Sequence, residues 1–175
     1  MGIVDAAFNS GDDSLGYEFQ VSFGPIPYLP DATGFSIRTT TVEIPEVVVG
    51  EYEYDYKSDK IVKPNGKVAT SKEFSLEFRI DKYYNFYKAF KLWNAAIVNP
   101  DTGGASLDSI NGISATRIPI TVSTGTIDLN GNFLPTLQVW SFTGCWPKSI
   151  SSLTLDNQSG EPLLCQIRFG FIKLV

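Results

Sequence analysis

The sequence predicts a mainly β fold, an antiparallel β-barrel or sandwich with one packed α-helix and a long protruding hairpin. Several segments alternate apolar and polar residues, the period of a half-buried strand. The 175 residues include 15 Gly and 10 Pro, which favour many turns between short strands. Only residues 82–97 repeat apolar side chains with a helical period. The length and the 43% hydrophobic content suit one core, so residues 1–175 are expected to form a single domain.

The first elements are an N-terminal arm, residues 1–16, and a strand at 17–23 whose aromatic and apolar residues occupy alternate positions. A second strand is predicted at 34–44, where β-branched residues are frequent. The polar residues Ser36, Arg38 and Thr40 would then share one face of this strand.

Residues 46–71 are predicted to form a protruding hairpin or loop. Three acidic residues alternate there with three tyrosines, so an extended ribbon would place acids on one face and tyrosines on the other. The acids are Glu51, Glu53 and Asp55, and the tyrosines are Tyr52, Tyr54 and Tyr56. Pro64-Asn65-Gly66 is the expected turn. A solvated hairpin and an interface with tyrosine anchors both agree with this pattern.

An alternating strand at 72–80 precedes the helix. Its polar face is formed by Glu73, Ser75, Glu77 and Arg79. Asp81 is the predicted cap of the helix at 82–97, in which Phe86, Phe90 and Trp93 lie on the apolar stripe. Such a stripe usually packs into a core and is rarely a ligand site.

The C-terminal third is predicted to contain a hairpin at 117–144 with its tip at 128–132, a bend at Trp146-Pro147, and strands at 151–156 and 162–175. Trp146 and Pro147 would fix the register of the strand that follows, or Trp146 would simply fill the core.

The composition disfavours an enzyme and a nucleic-acid-binding protein. The chain has no His, which removes the commonest general base and metal ligand. We therefore predict no catalytic residue, no metal site and no cofactor. The net charge is −5 and the basic residues are scattered, whereas a protein that binds phosphates usually has a basic patch.

Cys145 and Cys165 are expected to be free thiols, with a disulfide as the alternative. Neither a secretory signal nor a membrane span is predicted.

The order of these features resembles the tail tube proteins of contractile-tailed bacteriophages, a family related to the type VI secretion ring protein. The resemblance extends over nearly the whole chain, from Phe19 to Val175. It is carried by Ile44-Pro45-Glu46, by the helix end Phe90-Lys91-Leu92-Trp93, and by the segment from Gly144 to Asp156.

The resemblance implies a structural subunit that forms homohexameric rings, which stack into a hollow tube inside a contractile sheath. The implied partners are the tail sheath, tape-measure, baseplate and tail-terminator proteins, and DNA would pass through the lumen without specific binding. The implied location is the virion, after assembly in the cytoplasm of the bacterial host. An inner tube of an injection particle or of a secretion system is the nearest alternative.

Two assembly sites follow from this expectation. An acidic chain would give the lumen a negative potential, which would let DNA slide. The lumen-lining candidates are Glu73, Ser75, Glu77, Arg79, Ser36, Arg38 and Thr40. The candidates for contacts between rings are Glu51, Tyr52, Glu53, Tyr54, Asp55, Tyr56, Lys57 and Asn65, with the arm 1–16 as a second contact.

Two other functions stay open from the sequence. A monomeric β-sandwich module could bind a carbohydrate on exposed aromatic side chains. An enzyme could use Glu73 or Glu77 as a general acid or base.

Overall fold

A computed structural model describes residues 19–29, 33–68, 71–99, 101–104, 116–127, 132–155 and 160–175. The predicted arm and most of the predicted tip at 128–132 lie outside these ranges.

The described part of the chain is mainly β, as predicted. Its elements are β1 (Phe19–Phe23), α1 (Thr33–Arg38), β2 (Thr39–Glu43), β3 (Val49–Tyr56), β4 (Asp59–Val68), β5 (Glu73–Arg79), α2 (Asn85–Ile97), β6 (Ile118–Ile127), β7 (Phe133–Ile150), β8 (Leu164–Gly170) and β9 (Lys173–Leu174). No helix in these ranges is long and apolar enough to cross a bilayer.

The main sheet is antiparallel, with the strand order β1-β6-β7-β8-β5-β2, and β9 also pairs with β7. The long strand β7 belongs to two layers. Its first part pairs with β6 and β9, and its last part, from Trp146 to Ile150, pairs with β8. We call β1, β6, β9 and the first part of β7 the β6 layer, and the last part of β7 with β8, β5 and β2 the β8 layer. Gly144, with φ 65°, lies two residues before Trp146, where β7 begins to pair with β8.

The core lies between the two layers and under α2. Its fully buried large side chains include Phe35, Leu76, Phe78, Phe90, Trp93, Ile120, Phe142, Ile167 and Phe169. Phe90 is central, because its ring centroid lies 5.4 to 6.3 Å from the rings of four other phenylalanines on α1, β1, β5 and β8. The indole N–H of Trp93 donates a 2.8 Å hydrogen bond to the carbonyl of Thr116, which satisfies its buried polar atom.

The helix begins three residues later than predicted. Tyr84 has φ 59°, so the chain turns sharply before Asn85. The carboxylate of Asp81 nevertheless accepts hydrogen bonds from the N–H groups of Asn85 and Phe86, at 3.1 and 3.4 Å. Asp81 thus performs the capping role across a tight turn.

The strand predicted at 34–44 is also partly wrong. Residues 33–38 form α1, and β2 begins at Thr39. The reason is tertiary: Phe35 enters the core from this helix and packs edge-on against Phe23 at 4.7 Å. Burial of that ring outweighs the strand preference of the β-branched residues around it.

Candidate assembly surfaces

The strands β3 and β4 form a two-stranded ribbon. This ribbon is the connection between β2 and β5, which are paired neighbours in the β8 layer. Its tip is Lys57-Ser58, with Lys57 at φ 58°. The turn predicted at Pro64-Asn65-Gly66 is therefore wrong, because this tripeptide lies within β4. β3 alone has eight residues, so the ribbon extends about 26 Å.

The two faces of the ribbon differ in chemistry. Residues directly opposite each other in an antiparallel pair point to the same face. Tyr52, Tyr54 and Tyr56 stand opposite Lys63, Ile61 and Asp59, whereas Glu51, Glu53 and Asp55 stand opposite Pro64, Val62 and Lys60. One face thus carries a row of tyrosines, and the other carries three carboxylates with one lysine.

The tyrosine face is open to solvent. Tyr52, Tyr54 and Tyr56 are 48%, 37% and 58% exposed, although Tyr52 and Tyr54 stack on each other at 6.1 Å. Every residue from 51 to 60 is exposed. Aromatic side chains held in this way on a rigid strand are suited to an interface, because they bury much area at a small cost in side-chain entropy.

Asn65 fixes the base of the ribbon, where the strand register shifts between Val49 and Glu51. A Cβ atom on Gly50 would lie 2.7 Å from its side-chain oxygen, so any larger residue there would push Asn65 away. The same oxygen accepts a 2.8 Å hydrogen bond from the N–H of Lys67. Asn65 therefore stabilises the bulge at the base of the ribbon and is not part of the tyrosine row.

The outward face of the β8 layer is the polar surface predicted on β5. Glu73, Ser75, Glu77 and Arg79 alternate with core residues and pair in register with Gly170, Arg168, Gln166 and Leu164 of β8. Ser75 is itself buried, with 7% of its surface exposed. Hydrogen bonds link this face to β2. Ser75 donates to Glu43 at 2.7 Å, and the Glu77 carboxylate accepts from Thr40 and Thr41 at 3.1 and 3.2 Å.

Positive and negative groups are interleaved on this face. Glu73 forms an ion pair with Lys148 of β7. The carboxylates are Glu43, Glu73 and Glu77, and the cations are Lys148, Arg79 and Arg168. Glu46 borders the same face beside Glu43, Glu73 and Arg168, so the described part of this face has a small excess of carboxylates.

The other three lumen candidates, Ser36, Arg38 and Thr40, do not lie on one strand face as predicted. Thr40 lies on β2 and contacts Glu77, so it borders the polar face. Ser36 and Arg38 lie on α1 instead of β2. The Ser36 hydroxyl accepts a 3.2 Å hydrogen bond from the N–H of Val21 in β1, which places it at the opposite margin of the sheet.

Trp146 and Pro147 lie within β7 and are its first residues to pair with β8, directly after Cys145, the last residue that pairs with β6. Pro147 is fully buried, while Trp146 is half-buried. A Cβ atom on Gly170 would lie 2.6 Å from the Trp146 ring, and the Arg117 guanidinium lies 5.3 Å from the ring centroid. Trp146 thus packs flat on the layer beside Gly170 and is not a residue of the central core.

A groove between α2 and the end of β7 was not predicted. It has a volume of about 550 Å³ and is lined by Lys91, Leu92, Asn94, Ala95, Val98, Lys148, Ser149 and Ile150. Leu92 and Val98 are 53% and 49% exposed. The sequence does contain a hint, since Leu92 interrupts the polar side of the helix.

Both cysteines are free and buried. Burial raises the pKa of the Cys145 thiol to about 12, against a smaller opposing effect of a backbone hydrogen bond at Ile120. Burial likewise raises the pKa of Cys165. Neither thiol is activated as a nucleophile.

Comparisons with known proteins identify the fold. No family model matches the chain, and no curated protein sequence is significantly similar to it. Solved structures do match. A chain of the PVC sheath–tube complex, an extracellular contractile injection system in its extended state, is 18% identical, with a TM-score of 0.59 and 100% and 97% of the two chains covered.

Two structures of the anti-feeding prophage are also similar. A chain of its tube-terminating cap is 18% identical, with a TM-score of 0.63 over 100% of this chain and 97% of that chain. A chain of its baseplate, 6-fold symmetrised, is 13% identical, with a TM-score of 0.57 over 94% and 95%. The predicted resemblance is therefore confirmed at the level of architecture: this chain has the fold of the tail-tube proteins of contractile systems.

Proposed function

We propose that this protein is a structural subunit of the inner tube of a contractile particle, in which copies form six-membered rings that stack into a hollow tube. The observation that carries the proposal is the ribbon, whose tyrosine row is exposed on a chain with the tail-tube fold. In the stacked rings this row would pack on a subunit of the next ring, with the acidic face beside it. The six-fold symmetry of the similar baseplate supports the ring size.

The sheath, baseplate and tail-terminator proteins are the proposed partners, because similar chains come from a sheath–tube complex, a baseplate and a tube-terminating cap. A tape-measure protein would occupy the channel during assembly. The particle itself, a phage tail or a phage-like injection particle, would be the location of the subunit. Its cargo would be DNA in the first case and effector proteins in the second.

The outward polar face of the β8 layer is the proposed channel wall. Its interleaved charges neutralise one another locally, so a passing polyanion would meet no continuous basic surface that releases counterions. The strongly negative channel expected from the net charge would need further acids from other positions, since three cations lie among the carboxylates of this face.

Electron microscopy of the purified protein tests the proposal. The wild type is expected to form rings or tubes at high concentration. A variant with Tyr52, Tyr54 and Tyr56 all changed to Ser should keep its circular dichroism spectrum but lose stacking. Tyr83→Ser removes a tyrosine that is 69% exposed away from the ribbon and should stack normally. A wild type that stays monomeric at every concentration would contradict the proposal, and retention on a glycan column would favour a carbohydrate-binding module.

Thiol labelling tests the channel wall. Gln166→Cys places a thiol on the outward face of β8, and Ser22→Cys places one on the exposed side of β1. In assembled tubes we expect a small maleimide to label both, and a maleimide on a large polymer to label only position 22. The buried native thiols keep the background low. Equal labelling of both positions by the polymer would exclude this face from the channel.

A further inference from the structure

We propose that Asn65 and Gly66, at the base of the ribbon, form a self-modification site. The backbone nitrogen of Gly66 attacks the side-chain amide of Asn65, and the product is aspartate or isoaspartate at position 65. The proposal follows from the geometry of the bulge and from a comparison with Asn99, which has the same side-chain hydrogen bond but a different following residue. As a chemical reaction of the single chain it does not depend on the proposed function.

The bulge leaves this pair outside the regular pairing of the ribbon. In the register of β3 and β4, three consecutive residues of β4, 65–67, lie opposite Gly50 alone. Such a bulge interrupts the ladder of backbone hydrogen bonds. Asn65 and Gly66 are also exposed, so water reaches the side-chain amide and the backbone beside it. The Gly66 nitrogen is therefore less restrained than a nitrogen in a regular strand.

A hydrogen bond holds the Asn65 side chain close to the nitrogen that would attack it. The Oδ1 atom of Asn65 accepts a 2.8 Å hydrogen bond from the N–H of Lys67, two residues later. This bond closes a small ring of atoms, and the ring contains both Cγ of Asn65 and the nitrogen of Gly66. The reacting atoms are thus brought together before the reaction begins, which raises the effective concentration of the nucleophile.

The same hydrogen bond assists the chemistry. As the Gly66 nitrogen bonds to Cγ, negative charge develops on Oδ1, and the N–H of Lys67 already points at this atom. Gly66 has no side chain to obstruct the approach, and even a Cβ atom there would have no neighbour within 4 Å. Its φ of 72° lies in the left-handed region that glycine adopts without strain. The attack therefore meets little steric resistance.

The reaction balances with water as the one added reactant. The Gly66 nitrogen forms a bond to Cγ of Asn65, and its proton leaves with the side-chain NH₂ group as ammonia. The result is a five-membered cyclic imide. Water then adds to one of the two imide carbonyls and opens the ring. Cleavage of one C–N bond gives aspartate, and cleavage of the other gives isoaspartate, in which the main chain runs through the former side-chain carbonyl.

Asn99 is a matched internal control. It is exposed, and its Oδ1 atom accepts a 2.9 Å hydrogen bond from the N–H of Asp101, again two residues later. The residue that follows it is Pro100, whose nitrogen has no proton to lose. Asn99 thus combines the side-chain hydrogen bond of Asn65 with a nitrogen that cannot form the imide, so it should remain asparagine.

Modification would change the base of the ribbon. Either product replaces a neutral amide with a carboxylate, and isoaspartate also adds one carbon atom to the main chain within the bulge. The longer main chain would disturb the register of β3 and β4. Since the ribbon is the proposed contact between rings, an aged subunit would stack less well than a fresh one. This consequence, unlike the modification itself, rests on the proposed function.

Peptide mapping by mass spectrometry, on full-length protein incubated for increasing times, tests the site. We expect the peptide that contains Asn65 to gain about 1 Da, the difference between an amide and an acid, and to contain isoaspartate, the mark of the cyclic imide. The rate should rise with pH, because the Gly66 nitrogen must lose a proton. The peptide that contains Asn99 should keep its mass.

Asn65→Ser separates the reaction from the hydrogen bond. A serine hydroxyl can still accept from the N–H of Lys67, but it has no amide to lose. This variant should show no mass change at position 65. Its ring stacking in electron micrographs should be the same before and after incubation, whereas the stacking of the wild type should decline with age.

An Asn65 peptide that keeps its mass, while a urea-unfolded sample is modified in the same time, would overturn the site. Mass gain without isoaspartate, or equal modification of Asn99, would also overturn it, because the Gly66 nitrogen would then not be the nucleophile. In these outcomes the proposed function would stand. Modified subunits that stack as well as fresh ones would overturn the effect on the ribbon. Fresh wild type that forms no rings would contradict the proposed function and leave the modification site intact.

Discussion

The two-layer body and the ribbon are both antiparallel β structure, but they are stabilised differently. In the body, alternate side chains of β5 and β8 are fully buried against the aromatic cluster around Phe90. In the ribbon, every side chain from 51 to 60 is exposed. An isolated two-stranded hairpin is marginally stable in water, because it has no hydrophobic face to bury. We therefore expect the body to fold without a partner, and we propose that the ribbon has its full stability only against one.

The largest expected effect is in the body. Phe90→Ala leaves a cavity where one ring contacted five others, so the free energy of unfolding should fall by about 3–5 kcal/mol. Tyr54→Ala, in the ribbon, should change it by less than about 0.5 kcal/mol in the monomer. Urea denaturation followed by tryptophan fluorescence measures both. Equal losses for the two variants would contradict the distinction between body and ribbon.

A smaller effect is expected at Gly170. Ala there would place a Cβ atom 2.6 Å from the Trp146 ring, which must move, at a cost of about 1–3 kcal/mol. With Trp146→Ala in the same chain the clash disappears, so the double variant should lose less than the sum of the single losses. Additive losses in the same denaturation measurement would show that a Cβ atom at position 170 does not displace the Trp146 ring.

The smallest effect is expected in the ribbon. Glu53 and Lys60 form an ion pair at 3.1 Å, but their side chains are 58% and 71% exposed. Glu53→Gln should therefore change the free energy of unfolding of the monomer by less than about 0.5 kcal/mol. A loss above about 1 kcal/mol would mean that the ribbon unfolds together with the body.

Sequence periodicity predicted the body well where alternation was regular. The strand β5 and the buried stripe of α2 follow directly from the spacing of apolar residues in 72–80 and 82–97. The ribbon was also predictable, because its acids and tyrosines alternate without interruption. Its tip was not: Pro64-Asn65-Gly66 has the composition of a turn, yet the tip is Lys57-Ser58.

Other features depended on contacts between distant residues. α1 exists because Phe35 reaches the core, and local β propensity cannot reveal that contact. Trp146 is placed by Gly170 and Arg117, which are 24 and 29 positions away in the chain. Leu92 alone does not predict the groove beside α2, since the groove needs both the helix position and the end of β7.

The central claim is that the ribbon is completed by other copies of the chain. Hydrogen exchange measured by mass spectrometry, on dilute monomer and on assembled tubes, tests it most directly. In the monomer we expect the amides of β3 and β4 to exchange rapidly while those of β5 and β8 stay protected, and in the tubes we expect both regions to be protected. A ribbon that is equally protected in both states, or that still exchanges rapidly in the tubes, would contradict the account.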